Sequence, residues 1–550
     1  MSRSEGRSTS RRQGRIVLLA ALAPVVVGLM AFSQTFAWYG DEGMHLLAGQ
    51  LVNAGKRPYL DFFYQHPPLY AYVTAGWLRV FGDSWRSAHV MSALLSGGCV
   101  LLIADFMYSC LRDPGWRLAG GIAAGALVGL QWLFIRFGTI GQPYALCALL
   151  TVAAFRLVIE TPERTKGFAP MWAGLCAGAA GACSLLVAPV APVMLLWIAR
   201  HNRAGRGFVK CGQFVCGAVI PVLPLIWLAV EGPRQVWFDI VEYHAFHRST
   251  WGLQGSAALF YNFGVWQGWL NSPQALLLAM LVAVGMLFLG NRKEWDQERL
   301  AQFRLCIWLL IVLGVYPIVA QPTYPQYFVF VVPFASILAS VGVYALGAKV
   351  WPTGRPGWLV LATVGLCVVG LAKSAYHDRQ CLRNVWRDID AIASEVNRVT
   401  VAGDVLHANE AVYFAARRLP PPGLENSFAP ELRLSRDVST LVKVVPQSEI
   451  DRWLANGRFA TVAIESDDPR VLSLGLQRKY AGVSRLPCYL SRTPCHMGSC
   501  YIFWGPAPHA EGPDIEASSL NGSGLGQPRA SVEQPAERFV AYRHSPPQIR

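Results

Sequence analysis

Eleven apolar runs divide residues 16–375, at roughly 16–36, 88–110, 117–135, 142–159, 169–187, 188–199, 208–230, 274–290, 304–320, 327–347 and 358–375. Most approach the ~20 residues that carry a helix across the hydrocarbon core of a bilayer. In that water-free slab each backbone N–H and C=O must be satisfied within its own segment, so runs of this kind can only be helices. Only 15% of the chain is charged, against about 25% in soluble domains. An ordinary cytosolic enzyme, a disordered chain and a disulfide scaffold are excluded. The fold expected is an all-α polytopic membrane domain with about eleven transmembrane helices. Around Pro189 and Pro192 two readings stand, a single kinked helix or a tight re-entrant pair.

The net charge is +14, and its placement is topological. Arg3, Arg7, Arg11, Arg12 and Arg15 precede the first run, which reads as an uncleaved helix because no small-x-small cleavage pattern precedes Trp38. With the N-terminus inside, the inner loops hold Arg112 and Arg117, Arg164 and Lys166, Arg200 to Lys210, Arg292 to Arg304, and Lys349 with Arg355, while the outer loops are poorer in cations. That is the positive-inside pattern. No basic helix or aromatic–basic platform is present, which excludes nucleic acid as a partner.

Beyond residue 375 charges and turn residues return. Asp388 to Val399 has a helical apolar period, and Val401–Leu406, Ala460–Ile464 and Tyr501–Trp504 read as strands. A small α/β domain is expected at 376–505, outside the membrane if the spans are odd in number, followed by a disordered tail at 506–550 rich in Pro, Gly, Ser and Glu. Nine of the thirteen cysteines lie in or beside the apolar runs as packing residues. Cys381, Cys488, Cys495 and Cys500 lie in the outer domain, and a disulfide among the last three, free thiols and a metal are all open readings.

The first outer loop, 37–87, carries the chemistry. Asp41 and Glu42 follow the first run directly, at the membrane boundary, where paired carboxylates are costly and invite a functional explanation. Asp41 also stands where it would cap a helix opening at Met44, Leu47, Ala48 and Leu51. Gly55-Lys56-Arg57-Pro58-Tyr59-Leu60-Asp61 comes next, then Tyr64-Gln65-His66-Pro67-Pro68-Leu69-Tyr70-Ala71-Tyr72.

An Asp-Glu pair after the first span, G-x-x-PY-x-D, and PPL-x-x-Y before the second resemble the polyprenyl-phosphate-sugar-dependent glycosyltransferases of the GT-C superfamily. The nearest branch is the bacterial relatives of protein O-mannosyltransferases and lipid A aminoarabinose transferases, over about residues 16–375. The resemblance implies an active site facing the periplasm of a bacterial inner membrane, with the N-terminus cytoplasmic and the C-terminal domain periplasmic. The donor would be a sugar on a polyprenyl phosphate, the acceptor a glycolipid, glycan or protein hydroxyl. Asp41 would be the catalytic base with Glu42 orienting it. Candidates for substrate contact are Lys56, Arg57, Asp61, His66 and Arg136, each with a plain alternative as a turn or headgroup contact.

Glu242, His244 and His247 lie in the third outer loop, either as a metal-binding face or as an interfacial helix, and His244 and His247 are also candidates for substrate contact. Tyr327 opens the tenth run, either as a donor contact or as an interfacial anchor. No metal ligand set stands out, and dependence on a divalent cation is left open. The sequence departs from its relatives at His89, where Arg is common, at His66, where Lys is common, and at Gln142, where many have an acid. Walker, dinucleotide and HExxH motifs are absent, which argues against a nucleotide-sugar donor inside. Competing readings are a transporter or flippase for a lipid-linked sugar and a ligase or polymerase using lipid pyrophosphate-linked glycans.

Overall fold

Apolar residues on all sides make the membrane helices, and small residues let them approach. The computed structural model describes residues 2–35, 41–160, 167–202, 206–250, 255–290, 295–319, 323–350, 355–377, 384–432, 434–489 and 497–506. Its helices are α1 (Ser2–Thr35), α2 (Glu42–Asn53), α3 (Leu69–Phe81), α4 (Trp85–Cys110), α5 (Pro114–Gly129), α6 (Trp132–Gly138), α7 (Tyr144–Ile159) and α8 (Ala169–Cys183). Then come α9 (Val190–His201), α10 (Arg206–Val219), α11 (Leu223–Glu231), α12 (Pro233–Trp237), α13 (Tyr243–Thr250) and α14 (Gly255–Leu270). The series continues with α15 (Pro273–Leu289), α16 (Gln297–Val319), α17 (Val331–Ala345), α18 (Pro356–His377), α19 (Val385–Val399) and α20 (Glu410–Ala416).

By length and composition, six helices among the described residues can cross a membrane, or up to eight if two bent pairs each count as one. The bent pairs are Pro114–Gly129 with Trp132–Gly138, at 62°, and Ala258–Leu270 with Pro273–Leu289, at 85°. The protein is a multi-pass membrane protein. Around Pro189, α8 and α9 are separate helices joined by a 3-10 turn, Leu185–Val187. Helix α14 falls in a stretch read from sequence as outer loop, because Asn262 and Gln267 interrupt its apolar run.

Glycines set the tightest crossings. A Cβ on Gly342 would stand 2.1 Å from the Leu281 carbonyl oxygen, and one on Gly285 2.2 Å from that of Leu338, so α15 and α17 touch backbone to backbone. Gly174 and Gly178 bring α8 equally close to α10. At the start of the apolar part of α1, Arg15 pairs with Asp105 at 2.8 Å, and Arg156 reaches the same carboxylate at 2.9 Å.

The C-terminal domain has four strands, β1 (Leu406–His407), β2 (Thr461–Glu465), β3 (Tyr480–Tyr489) and β4 (Met497–Pro506), in the order β1-β2-β4-β3. β1 is parallel to β2, and the β2–β4 and β4–β3 pairs are antiparallel. The strand expected at 401–406 is only Leu406–His407, since a turn with Gly403 at φ +93° occupies the rest. β3 escaped the sequence reading because Gly482, Arg485 and Pro487 break its alternation. Cys488 and Cys500 are free, buried thiols. Cys381, Cys495 and the tail beyond 506 lie outside the described residues.

One hydrophobic core joins the first loop to this domain. Leu47, Tyr59, Tyr64 and Trp85 pack in the same cluster as Trp386, Ile389, Val396, Phe414 and Ile502. The loop and the C-terminal domain therefore occupy one end of the helical bundle.

Candidate active site

Asp41 and Glu42 are neighbours in sequence with opposite surroundings. Glu42 is fully buried. Its Oε1 faces His89 Nε2 at 2.5 Å and accepts from the Gly141 N–H at 2.6 Å, and its Oε2 accepts from the Trp386 indole at 3.1 Å. Nδ1 of His89 lies 2.5 Å from the Ser33 carbonyl oxygen. A carbonyl only accepts, so the Nδ1–H of His89 donates to Ser33. Polar partners on both oxygens are how the Glu42 carboxyl group tolerates complete burial. Four segments meet here, from α1, α4, the α6–α7 turn and α19.

Asp41 occupies the N-cap position of α2 without capping it. Its backbone is already helical (φ −82°, ψ −7°), and its side chain makes no capping hydrogen bond. An N-cap needs an extended backbone to fold its oxygen back onto the first turn. Half-buried, Asp41 has its pKa raised by burial from 3.8 to about 6. Tyr243 and Glu410 both feel its charge.

An aromatic and imidazole cluster surrounds His45 of α2. His45 is buried, and its Nδ1 is 2.9 Å from the Tyr64 hydroxyl. Its ring lies 4.8 Å from that of His66 and 5.3 Å from that of Tyr70. Burial lowers the pKa of His45 to about 3, so the ring is neutral at ordinary pH. Burial also lowers His66 well below its usual range, with His45 and His244 adding repulsion. The loop that presents His66 is pinned by Tyr59, a non-glycine residue at φ +68° whose hydroxyl donates to the His66 carbonyl at 2.6 Å. Such backbone strain persists only where surrounding contacts enforce it. Here they include complete burial and a Tyr59 N–H bond to the Phe62 carbonyl at 2.8 Å.

The other residues singled out from sequence divide into groups. His66 and His244 join the His45 cluster, and His247 stacks on Tyr243 at 5.6 Å between ring centroids. Burial lowers His247 to about 4. Glu242 instead pairs with Arg234 at 2.6 Å and accepts from Trp237 at 3.0 Å. No group of three or more His, Cys, Asp or Glu side chains suited to a metal occurs among the described residues. Arg57 pairs with Asp61 at 3.1 Å and Glu231 at 2.7 Å, tying the loop to the end of α11, while Lys56 is exposed. Arg136 lies on α6, which packs against the 3-10 turn Pro325–Phe330 that carries Tyr327. Gln142 is buried with both amide atoms unpartnered.

Sequence reasoning missed Trp386, Gly141, Asp239 and Glu410. Trp386 was detectable, since it opens the amphipathic stretch Trp386, Ile389, Ala393, Val396. Asp239, fully buried, accepts from the Tyr64 N–H at 3.0 Å across 175 residues, which no local pattern announces.

Residues 65–228 match the family model described as dolichyl-phosphate-mannose-protein mannosyltransferase. No curated protein matches the chain. Among solved structures, ArnT from Cupriavidus metallidurans bound to undecaprenyl phosphate superposes with a TM-score of 0.61 at 14% identity, covering 88% of this chain and 97% of that one. The apo form of the same protein gives 0.59 at 15% identity, over 89% and 98%. The apo oligosaccharyltransferase of Archaeoglobus fulgidus gives 0.50 at 12% identity, over 88% and 74%. The chain shares the fold of these structures, and its residues 65–228 are similar to the mannosyltransferase family. The family match begins at Gln65, so Asp41 and Glu42 precede the matched segment, which does include His66, Arg136 and Gln142.

Proposed function

We propose that this protein is an inverting glycosyltransferase of the GT-C superfamily that moves a sugar from a polyprenyl phosphate to an acceptor hydroxyl at the periplasmic face of a bacterial inner membrane. The observation that carries the reading is the contrast at the head of α2. Glu42 has both oxygens engaged, whereas Asp41 is half-buried, uncapped and raised to about pKa 6. A base of that strength is ionised at neutral pH yet holds a proton well enough to take one.

In the proposed step the acceptor oxygen attacks the anomeric carbon and gives its proton to Asp41. The bond from that carbon to the phosphate oxygen breaks, and its electron pair leaves with the polyprenyl phosphate. One displacement inverts the anomeric centre. Glu42 orients α2. Arg136 and Tyr327, on packed elements, are assigned to the lipid phosphate, which favours guanidinium and hydroxyl partners. His66, His244 and His247 line the sugar side, and Arg57 with Asp61 holds the loop in place. The undecaprenyl phosphate on the similar ArnT structure supports a donor of this class.

Asp41→Asn tests the assignment. Transfer from a polyprenyl-phosphate sugar in membranes should be abolished while the protein accumulates normally. Retained transfer removes Asp41 from the chemistry. Activity with a lipid pyrophosphate-linked glycan, and none with the monophosphate, would shift the reading to a ligase or polymerase.

A further inference from the structure

The third outer loop grips the first one through a buried carboxyl group. Between α12 and α13 the chain makes one π-helical turn, Phe238–Glu242. Such turns are rare and frequently mark functional sites. Asp239 in this turn is fully buried, and its Oδ2 accepts from the Tyr64 N–H at 3.0 Å. Its Oδ1 is buried without a hydrogen-bond partner, a cost that calls for an explanation. Phe63 seals the contact, packing on Tyr243 at 5.1 Å between ring centroids and sharing a cluster with Phe238.

The grip is passed on to α2. The hydroxyl of the same Tyr64 lies 2.9 Å from His45 Nδ1, and the His45 N–H donates to the Asp41 carbonyl oxygen at 3.4 Å. Tyr64 and His45 are both buried, so the bond between them is sheltered from water. A helix held at one point can still turn about its axis. Successive residues leave a helix about 100° apart, so Glu42 and His45 fasten α2 in two different directions. Together they fix the rotation of its first turn, and with it the direction of Asp41, whose own side chain caps nothing.

We propose that Asp239 is a positioning residue of the Asp41 site, holding Tyr64 by its backbone so that the Tyr64 hydroxyl holds His45 and the first turn of α2. The inference rests on Asp41 being the base. Burial pushes the Asp239 carboxyl well above the usual carboxylate range. It therefore serves as a neutral hydrogen-bond acceptor, a task that an amide oxygen fills as well. Tyr59 and Tyr243 sense its charge when it is ionised.

The test reads Asp41 without turnover. The full-length protein in detergent is treated with a hydrophobic carbodiimide, which modifies protonated carboxyls, from about pH 4 to about pH 8. Modification of residue 41 is followed by peptide mass spectrometry. Burial sets its midpoint at about 6 in the intact protein. Asp239→Ala frees Tyr64, loosens the first turn of α2 and admits water to Asp41, so the midpoint should drop toward about 4, by on the order of one unit. Tyr64→Phe cuts the same path at the hydroxyl and should produce a drop of similar size. The double variant should drop no further than the larger single drop. Tyr64→Phe decides alone if Asp239→Ala fails to accumulate. Asp239→Asn keeps an acceptor for the Tyr64 N–H and should hold the midpoint. Gly342→Ala, which strains the α15–α17 crossing instead, should hold it too, although the protein melts earlier. An unmoved midpoint in Asp239→Ala or Tyr64→Phe, an additive double variant, or an equal drop in Asp239→Asn or Gly342→Ala overturns the proposal. Loss of transfer in Asp41→Asn is a separate readout, so failure here leaves the assignment of the base intact.

Discussion

At the scale of single residues, the head of α2 shows how two like side chains acquire unlike surroundings. As the proposed base, Asp41 would act only when ionised. With its pKa raised by burial to about 6, kcat/KM should be flat above neutrality and fall about tenfold per unit as pH drops below that value. A pH–rate profile flat down to about pH 4, the ordinary range of an aspartate, would remove the base. Glu42 and His89 are expected to respond differently. His89→Ala leaves a buried carboxyl without its main partner, and such breaks cost about 3–5 kcal/mol. Its thermal midpoint in detergent should fall well below that of Asp41→Asn. The Asp-Glu pair stood out in the sequence by its place at the membrane boundary. The difference between its two members did not, because it depends on His89, Gly141 and Trp386, which lie 47, 99 and 344 residues away from Glu42.

At the scale of elements, hydropathy located the helices well, because spanning length and backbone satisfaction leave few alternatives. It failed where composition is mixed, at α14 with Asn262 and Gln267 and at β3 with its Gly, Arg and Pro. The crossings depend on missing side chains. Gly342→Ala should force α17 away from α15, since the new methyl group meets the Leu281 carbonyl oxygen, at a cost of about 1–3 kcal/mol. Gly76→Ala meets nothing within 4 Å and should be neutral or slightly stabilising. Comparing the two melting temperatures separates close packing from helix propensity.

At the scale of the whole molecule, the C-terminal domain completes the site. Trp386 stacks on Trp85 at 5.9 Å, packs edge-on against Phe414 and donates to Glu42. Trp386→Ala should cost about 3–5 kcal/mol from lost packing alone, and activity should fall with stability because the anchor of α2 loosens. Trp386→Phe should recover much of the stability while still leaving Glu42 Oε2 without its donor. Measured melting temperature and transfer rate would then part company. A domain that only decorated the helical bundle would show neither effect. The sequence located this domain but gave no sign of what it touches, since its core is shared with a loop more than 300 residues earlier.

The clasp around Glu42 also has a temporal consequence. During synthesis the first loop emerges long before residue 386, and until then one carboxyl oxygen lacks its indole donor and the head of α2 lacks its cover. A nascent chain already threaded through the bilayer thus holds only an unfinished pocket, and the carboxyl group waits for its last partner until the final domain has been made and docked.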